Sequence, residues 1–161
     1  MKVGFVSLGC PKTLADGEVM MGPVREAGPE LTADAHSADI LVVNTCAFID
    51  EAKQESIDAI LEMAGKKTGG QAKRLVVTGC LGERYRDELK KEIPEIDAVL
   101  GTGDVPEIVA AISGVKATGA SPLTFYRPAK RPTYLYDAST PRFTSTPKHY
   151  AYIKVAEGCD Y

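Results

Sequence analysis

Ile40-Leu41-Val42-Val43, running on into Asn44-Thr45-Cys46, is apolar without interruption. A strand covered on one face alternates apolar and polar residues, whereas an unbroken run is covered on both faces, as in a parallel sheet flanked by helices. Arg74-Leu75-Val76-Val77-Thr78, followed by Gly79-Cys80, repeats the pattern. Lys2-Val3-Gly4-Phe5-Val6-Ser7 and Ala98-Val99-Leu100 supply two further β-rich runs. From Asp50 to Ala64, Ile57, Ile60, Leu61 and Ala64 recur at three- and four-residue spacing with charged residues between them, which predicts an amphipathic helix. Residues 14–27 and 83–92 also read as helices. Asp104-Val105-Pro106-Glu107 reads as a capping-box start for a helix through Ile112, stopped by Gly114.

Strands alternating with helices over residues 1–113 predict an α/β fold of the flavodoxin or Rossmann type. Its expected form is a doubly wound, mostly parallel sheet of about four to five strands with helices on both faces, and with ligands beyond the carboxyl ends of the strands. The 161 residues have room for one domain and an appendage. An apolar share of 44% and a charged share of 25% exclude a collagen-like or wholly disordered chain. The net charge of -3 lacks the basic excess of a nucleic-acid binder. It is unevenly spread: residues 1–113 carry a net -7 and residues 114–161 a net +4, which points to different structural units. Five of the ten prolines fall between Pro122 and Pro147, so 114–149 reads as a Pro-rich connector. Tyr150-Ala151-Tyr152-Ile153-Lys154-Val155 then reads as the first strand of a further domain, begun at 150–161 and truncated. No run is long and apolar enough for a membrane span or a signal peptide, so a cytoplasmic location is expected, where cysteines are thiols or metal ligands.

Cys10, Cys46 and Cys80 each stand a few residues beyond an apolar strand, at intervals of 36 and 34 residues. That is about the length of one βα unit, so parallel strands would deliver all three thiols to one edge. Each also precedes an expected helix start, where free N–H groups favour thiolate over thiol. A single cysteine after a strand is ordinarily packing. Three at equivalent places put a shared metal or cluster site on an equal footing with packing. Structural zinc wants four ligands in closely spaced pairs, and His36 and His149 do not follow these strands; three thiolates better suit an iron–sulfur cluster with one iron open.

Other residues have ordinary readings beside their functional ones. Asp16 and Glu18 are expected to complement a helix dipole rather than touch a substrate. Asn44 and Thr45 either donate to cluster sulfur or shape a turn. Gly101-Thr102-Gly103 reads as a tight turn before a helix rather than a phosphate loop. Tyr126, Arg127, Lys130, Arg131 and Tyr134 read as a solvated basic connector rather than an RNA contact.

Ser7-Leu8-Gly9-Cys10-Pro11-Lys12, Asn44-Thr45-Cys46-Ala47-Phe48-Ile49-Asp50 and Val77-Thr78-Gly79-Cys80-Leu81-Gly82-Glu83-Arg84-Tyr85 together resemble the amino-terminal domain of the radical-SAM methylthiotransferases. The Cys-Pro-Lys and Phe-Ile-Asp stretches resemble the branch that acts on a ribosomal protein. Ile93–Asp104, His149–Tyr152 and Ala156–Asp160 extend the likeness, while Thr13, Gly17 and Ala47 depart from residues usual in that branch. The resemblance implies that Cys10, Cys46 and Cys80 hold a 4Fe-4S cluster. Cys159 would be the first ligand of a second 4Fe-4S cluster, held by a Cys-x3-Cys-x2-Cys motif whose other two cysteines lie beyond the chain. The implied reaction replaces a hydrogen on an aspartate β-carbon of a small-subunit ribosomal protein by a methylthio group, with S-adenosylmethionine as cosubstrate used in a following barrel. No catalytic acid or base of the chain is expected, since the cofactors carry the hard chemistry. The implied partners are that ribosomal protein and the chain's own barrel, with no membrane and no nucleic acid for this domain. Two alternatives stand beside this reading: the same domain acting on an adenosine in tRNA, and a flavodoxin-like ligand-binding module with structural cysteines.

Overall fold

The computed structural model describes residues 1–114, 134 and 136–156. Five strands, β1 (Lys2–Ser7), β2 (Glu30–Thr32), β3 (Ile40–Thr45), β4 (Arg74–Gly79) and β5 (Ala98–Val99), alternate with helices α1 (Pro11–Glu26), α2 (Asp50–Gly69), α3 (Cys80–Arg84), α4 (Arg86–Glu92) and α5 (Ile108–Ser113). A short 3-10 turn at Val105–Glu107 leads into α5. All strand pairs are parallel, in the order β2-β1-β3-β4-β5. The fold is therefore the doubly wound α/β sheet.

The unbroken apolar runs fill both faces. Leu41, Val43, Leu75 and Val77 pack with Ile60, Met63, Leu81 and Leu89 from α2, α3 and α4. Ile40, Val42 and Val76 pack on the other face with Val19, Met20 and Val24 of α1 and Ile108, Ala111 and Ile112 of α5. Chain order reverses between β1 and β3, so α1 and α2 leave on opposite faces and open a crevice at the carboxyl ends of those two strands.

Several elements differ from the sequence reading. The three-residue β2 adds an edge strand beside β1. The helix expected over 83–92 is two helices, broken at Tyr85, where φ is -124° and ψ is 33°. Asp104 does not cap α5: its carboxylate accepts from the Gly101 N–H at 2.8 Å and from Arg86 at 2.9 Å. Gly114 does end α5, in a left-handed conformation at φ 68°. Residues 150–156 form no strand and leave Ile153 and Val155 80% and 93% exposed, since they have no neighbouring strand to pair with. Most of the connector and Cys159 lie outside the described residues. Among the described residues no helix is long and apolar enough to cross a membrane.

Candidate functional site

β1, β3 and β4 are neighbours in register, with Ser7 beside Asn44 and Thr45 beside Gly79, so they end at one edge of the sheet. Cys10 is the residue before α1, Cys46 follows β3 directly, and Cys80 opens α3. Cys10 and Cys46 flank the crevice between β1 and β3. The turns that deliver Cys10 and Cys80 depend on glycine. Gly9 has φ 90° and Gly79 has φ 94°, a region costly for residues with a Cβ. A Cβ on Gly9 would stand 2.4 Å from the Cβ of Cys46 and 2.8 Å from its Sγ. The turn before Cys10 therefore lies directly on the Cys46 side chain. A Cβ on Gly79 would stand 2.4 Å from the Thr45 carbonyl oxygen, so the turn before Cys80 lies on the residue preceding Cys46.

All three cysteines are free thiols; Cys10 is exposed, Cys46 buried and Cys80 between the two. At Cys10 partial burial opposes the charge, but the N–H groups of Thr13 and Lys12 at the start of α1 outweigh it and hold the thiol below its ordinary pKa. Burial pushes Cys80 up; the Lys12 ammonium opposes this, and the negative charges of Cys46, Cys10 and Asp16 add to it. The three sulfurs and Lys12 therefore share one electrostatic neighbourhood. Among the described residues, no group of three or more His, Cys, Asp and Glu is gathered closely enough to hold a single metal ion.

The backbone under the thiols is fixed by side chains, of which the sequence reading singles out Asn44 and Thr45 but not Ser56 and Arg84. The Ser56 hydroxyl, fully buried on α2, accepts from the Cys46 N–H at 3.0 Å and donates to the Cys46 carbonyl at 2.9 Å. Arg84 donates to the carbonyl of Ala47 at 3.1 Å. Asn44 and Thr45 point their donors at backbone: Asn44 Nδ2 to the Thr13 carbonyl at 2.6 Å, and the Thr45 hydroxyl to the Thr78 carbonyl at 2.6 Å. Asn44 thus ties the end of β3 to the first turn of α1. Its Oδ1 is buried with no hydrogen-bond partner and lies 2.7 Å from the place a Gly79 Cβ would take.

The remaining candidates lie elsewhere or are already engaged. Asp16 and Glu18 are not in the first turn of α1, so they do not complement its dipole; both are buried and ion-paired, with Lys154 and Arg142. His36 stands before β3, near Lys66 of α2 at 3.2 Å, away from the thiol edge. Two amides of the Gly101-Thr102-Gly103 turn are taken by the protein's own carboxylates, Asp104 on Gly101 and Glu83 on Thr102, which is the tight-turn reading and leaves no phosphate cradle. His149 stacks edge-on against Tyr150 at 5.1 Å. Tyr134 packs on the α1 and α5 face of the core, while Tyr126, Arg127, Lys130 and Arg131 lie outside the described residues.

Residues 2–101 match the model of a family described as uncharacterized protein family UPF0004. The chain is 51% identical to a protein of Koribacter versatilis named ribosomal protein uS12 methylthiotransferase RimO, over 99% of this chain and 39% of that one. Proteins of the same name from Solibacter usitatus and Caldicellulosiruptor saccharolyticus are 53% and 52% identical, over 100% and 99% of this chain and 33% and 36% of theirs. The chain thus spans little more than a third of the length of these curated relatives. With the family model matched across the whole sheet, and likeness to the proteins named RimO methylthiotransferase running from end to end of the chain, the chain belongs to the UPF0004 family.

Proposed function

We propose that this chain is the amino-terminal, 4Fe-4S cluster-binding part of a methylthiotransferase that modifies an aspartate β-carbon in a small-subunit ribosomal protein, with S-adenosylmethionine as cosubstrate. The observation that carries the reading is the gathering of Cys10, Cys46 and Cys80 at one sheet edge, with the Gly9 turn against Cys46 itself and the Gly79 turn against its neighbour Thr45. The donor set fits the group: three unbridged sulfurs, one of them held toward thiolate, beside the positive charge of Lys12. A cluster spreads its thiolates over separate irons, so it does not require the three to converge on one point as a single ion would. The names of the relatives supply the substrate class.

Cys10, Cys46 and Cys80 would hold the cluster, and when bound it supplies the sulfur to be inserted. The chain's own residues prepare the place. Ser56 fixes the Cys46 backbone, Asn44 ties the Cys10 turn to β3, and Lys12 offsets negative charge gathered at the edge. Exposed Cys10 marks the side open to the rest of the enzyme. In the same reading the domain runs over 1–113, a connector over 114–149, and the start of a radical-SAM domain over 150–161, with Cys159 as its first cluster ligand. The protein works in the cytoplasm. The net -7 of residues 1–113 favours a basic ribosomal protein over tRNA as substrate.

Anaerobic reconstitution with iron and sulfide tests this. A brown chain with charge-transfer absorption and close to four irons per chain is expected, with the iron lost in Cys46→Ala. A colourless wild-type chain that binds no iron would leave the thiols as packing residues of a ligand-binding module.

A further inference from the structure

Two carboxylates on α1 are buried: Asp16 is 5% exposed and Glu18 is 0% exposed. A buried carboxylate requires a partner and satisfied hydrogen bonds. Both find theirs more than a hundred residues away, in 136–156. Glu18 Oε2 accepts from Arg142 Nε at 2.9 Å and Nη2 at 2.5 Å, and Oε1 from the Ser145 N–H at 2.6 Å, the Ser145 hydroxyl at 2.8 Å and the Thr146 N–H at 3.3 Å. Asp16 accepts from Lys154 at 2.5 Å. The backbones meet as well. The Phe143 N–H donates to the Glu18 carbonyl at 3.0 Å, and a Cβ on Gly22 would overlap the Pro141 carbonyl. Arg25 covers the Phe143 ring at 5.5 Å, Lys154 faces the Tyr136 ring at 5.3 Å, and Arg142 also donates to the Tyr152 carbonyl at 2.7 Å.

We propose that α1 is an intramolecular docking surface on which Asp16 and Glu18 clamp residues 136–156. The clamp fixes the stretch that leads to Cys159 against the helix that follows Cys10. The opposite charges of the two parts of the chain are the complementarity that this docking uses. Buried ion pairs add little net stability over apolar contacts but specify one arrangement, and a strap ahead of a second cofactor site needs one arrangement. The assignment of a role to Cys159 rests on the proposed function; the clamp itself does not.

Hydrogen exchange on the metal-free full chain tests the clamp, with β3 amides as an internal control for folding. In Glu18→Gln and in Arg142→Met the Phe143 and Ser145 amides are expected to exchange at least about tenfold faster, while β3 amides keep their protection. Asp16→Asn and Lys154→Met are expected to be non-additive by at least about fivefold, the double variant suffering less than the product of the singles, because each removes one side of the same 2.5 Å contact. Unchanged exchange at Phe143 and Ser145 in both Glu18→Gln and Arg142→Met, or an additive Asp16–Lys154 cycle, would overturn the proposal. Iron loading of the wild-type chain is read separately, so a failure to load iron removes the cluster reading and leaves the exchange result standing.

Discussion

Gly9 holds φ 90°, and the place a Cβ would take on it is filled by the Cys46 side chain, so its substitution penalises the local backbone and the site together. In Gly9→Ala, left-handed strain of about 1–3 kcal/mol is joined by overlap with Cys46 Sγ. Urea unfolding is expected to show a midpoint lowered to match, and iron stoichiometry to fall even where the variant stays folded. The thiols themselves differ in readiness. Cys10 is exposed and held below its ordinary pKa, while burial holds Cys80 above it. Because the thiolate is the nucleophile, iodoacetamide is expected to modify Cys10 before Cys80 and at lower pH, with Cys80 following only as the solution becomes more alkaline. Peptide mapping across a pH series reads the order, and Cys80 labelling ahead of Cys10 would contradict the assigned environments. Glycine before cysteine was visible in the sequence, at Gly9, Gly79 and Gly158. Ser56 was not, because a hydroxyl ten residues beyond Cys46 becomes its backbone partner only once α2 folds back on β3.

Strands that were long and apolar on both faces announced themselves; elements decided by tertiary partners did not. β2 has three residues and exists through its pairing with β1. Tyr150 to Val155 has the β-branched and aromatic composition of a strand, yet a strand needs a neighbour, and here the stretch is tethered to α1 through Arg142 and Lys154 instead. Nor does local sequence distinguish a buried acid from a surface one, so Asp16 and Glu18 read as helix-dipole residues until their distant partners were in place. The same tether responds to acid. Burial raises the Glu18 pKa, but Arg142 and Ser145 outweigh it and the folded value lies below the ordinary one. A group depressed on folding contributes fully above its unfolded pKa, about 4.3, and the contribution is lost as pH falls toward the folded value. Arg142 stays charged throughout this range. Lowering the pH from neutral through the unfolded Glu value and toward the depressed folded one is therefore expected to release 141–146 from α1, seen as lost protection of the Phe143 and Ser145 amides relative to β3 amides at the same pH, and to do so less in Glu18→Gln, which has already lost the charge.

The distribution of apolar residues decides whether the whole molecule depends on metal. Among the described residues the largest fully buried side chains, Glu18 apart, are aliphatic or Met and pack on the two faces of the sheet: Leu41, Leu75 and Ile60 on one face, Val3, Met20, Leu100 and Ile108 on the other. The thiol edge lies at the end of these layers rather than between them. Small metallo-domains that lack such a core are unfolded without their ion; this chain has two apolar layers and is expected to keep its sheet when a chelator strips it. In the proposed reading, iron binding would then act by mass action on a folded state, adding about 2.7 kcal/mol when the free ligand is a hundredfold above its dissociation constant. For a chain of this size that corresponds to a melting temperature about 5–10 °C higher in the loaded form. Far-UV circular dichroism before and after chelation should be nearly superimposable while the melting temperature drops. A coil-like spectrum on chelation would mean that the thiol edge organises the sheet, reversing the order of cause in which apolar strands place the cysteines and the cysteines then hold iron.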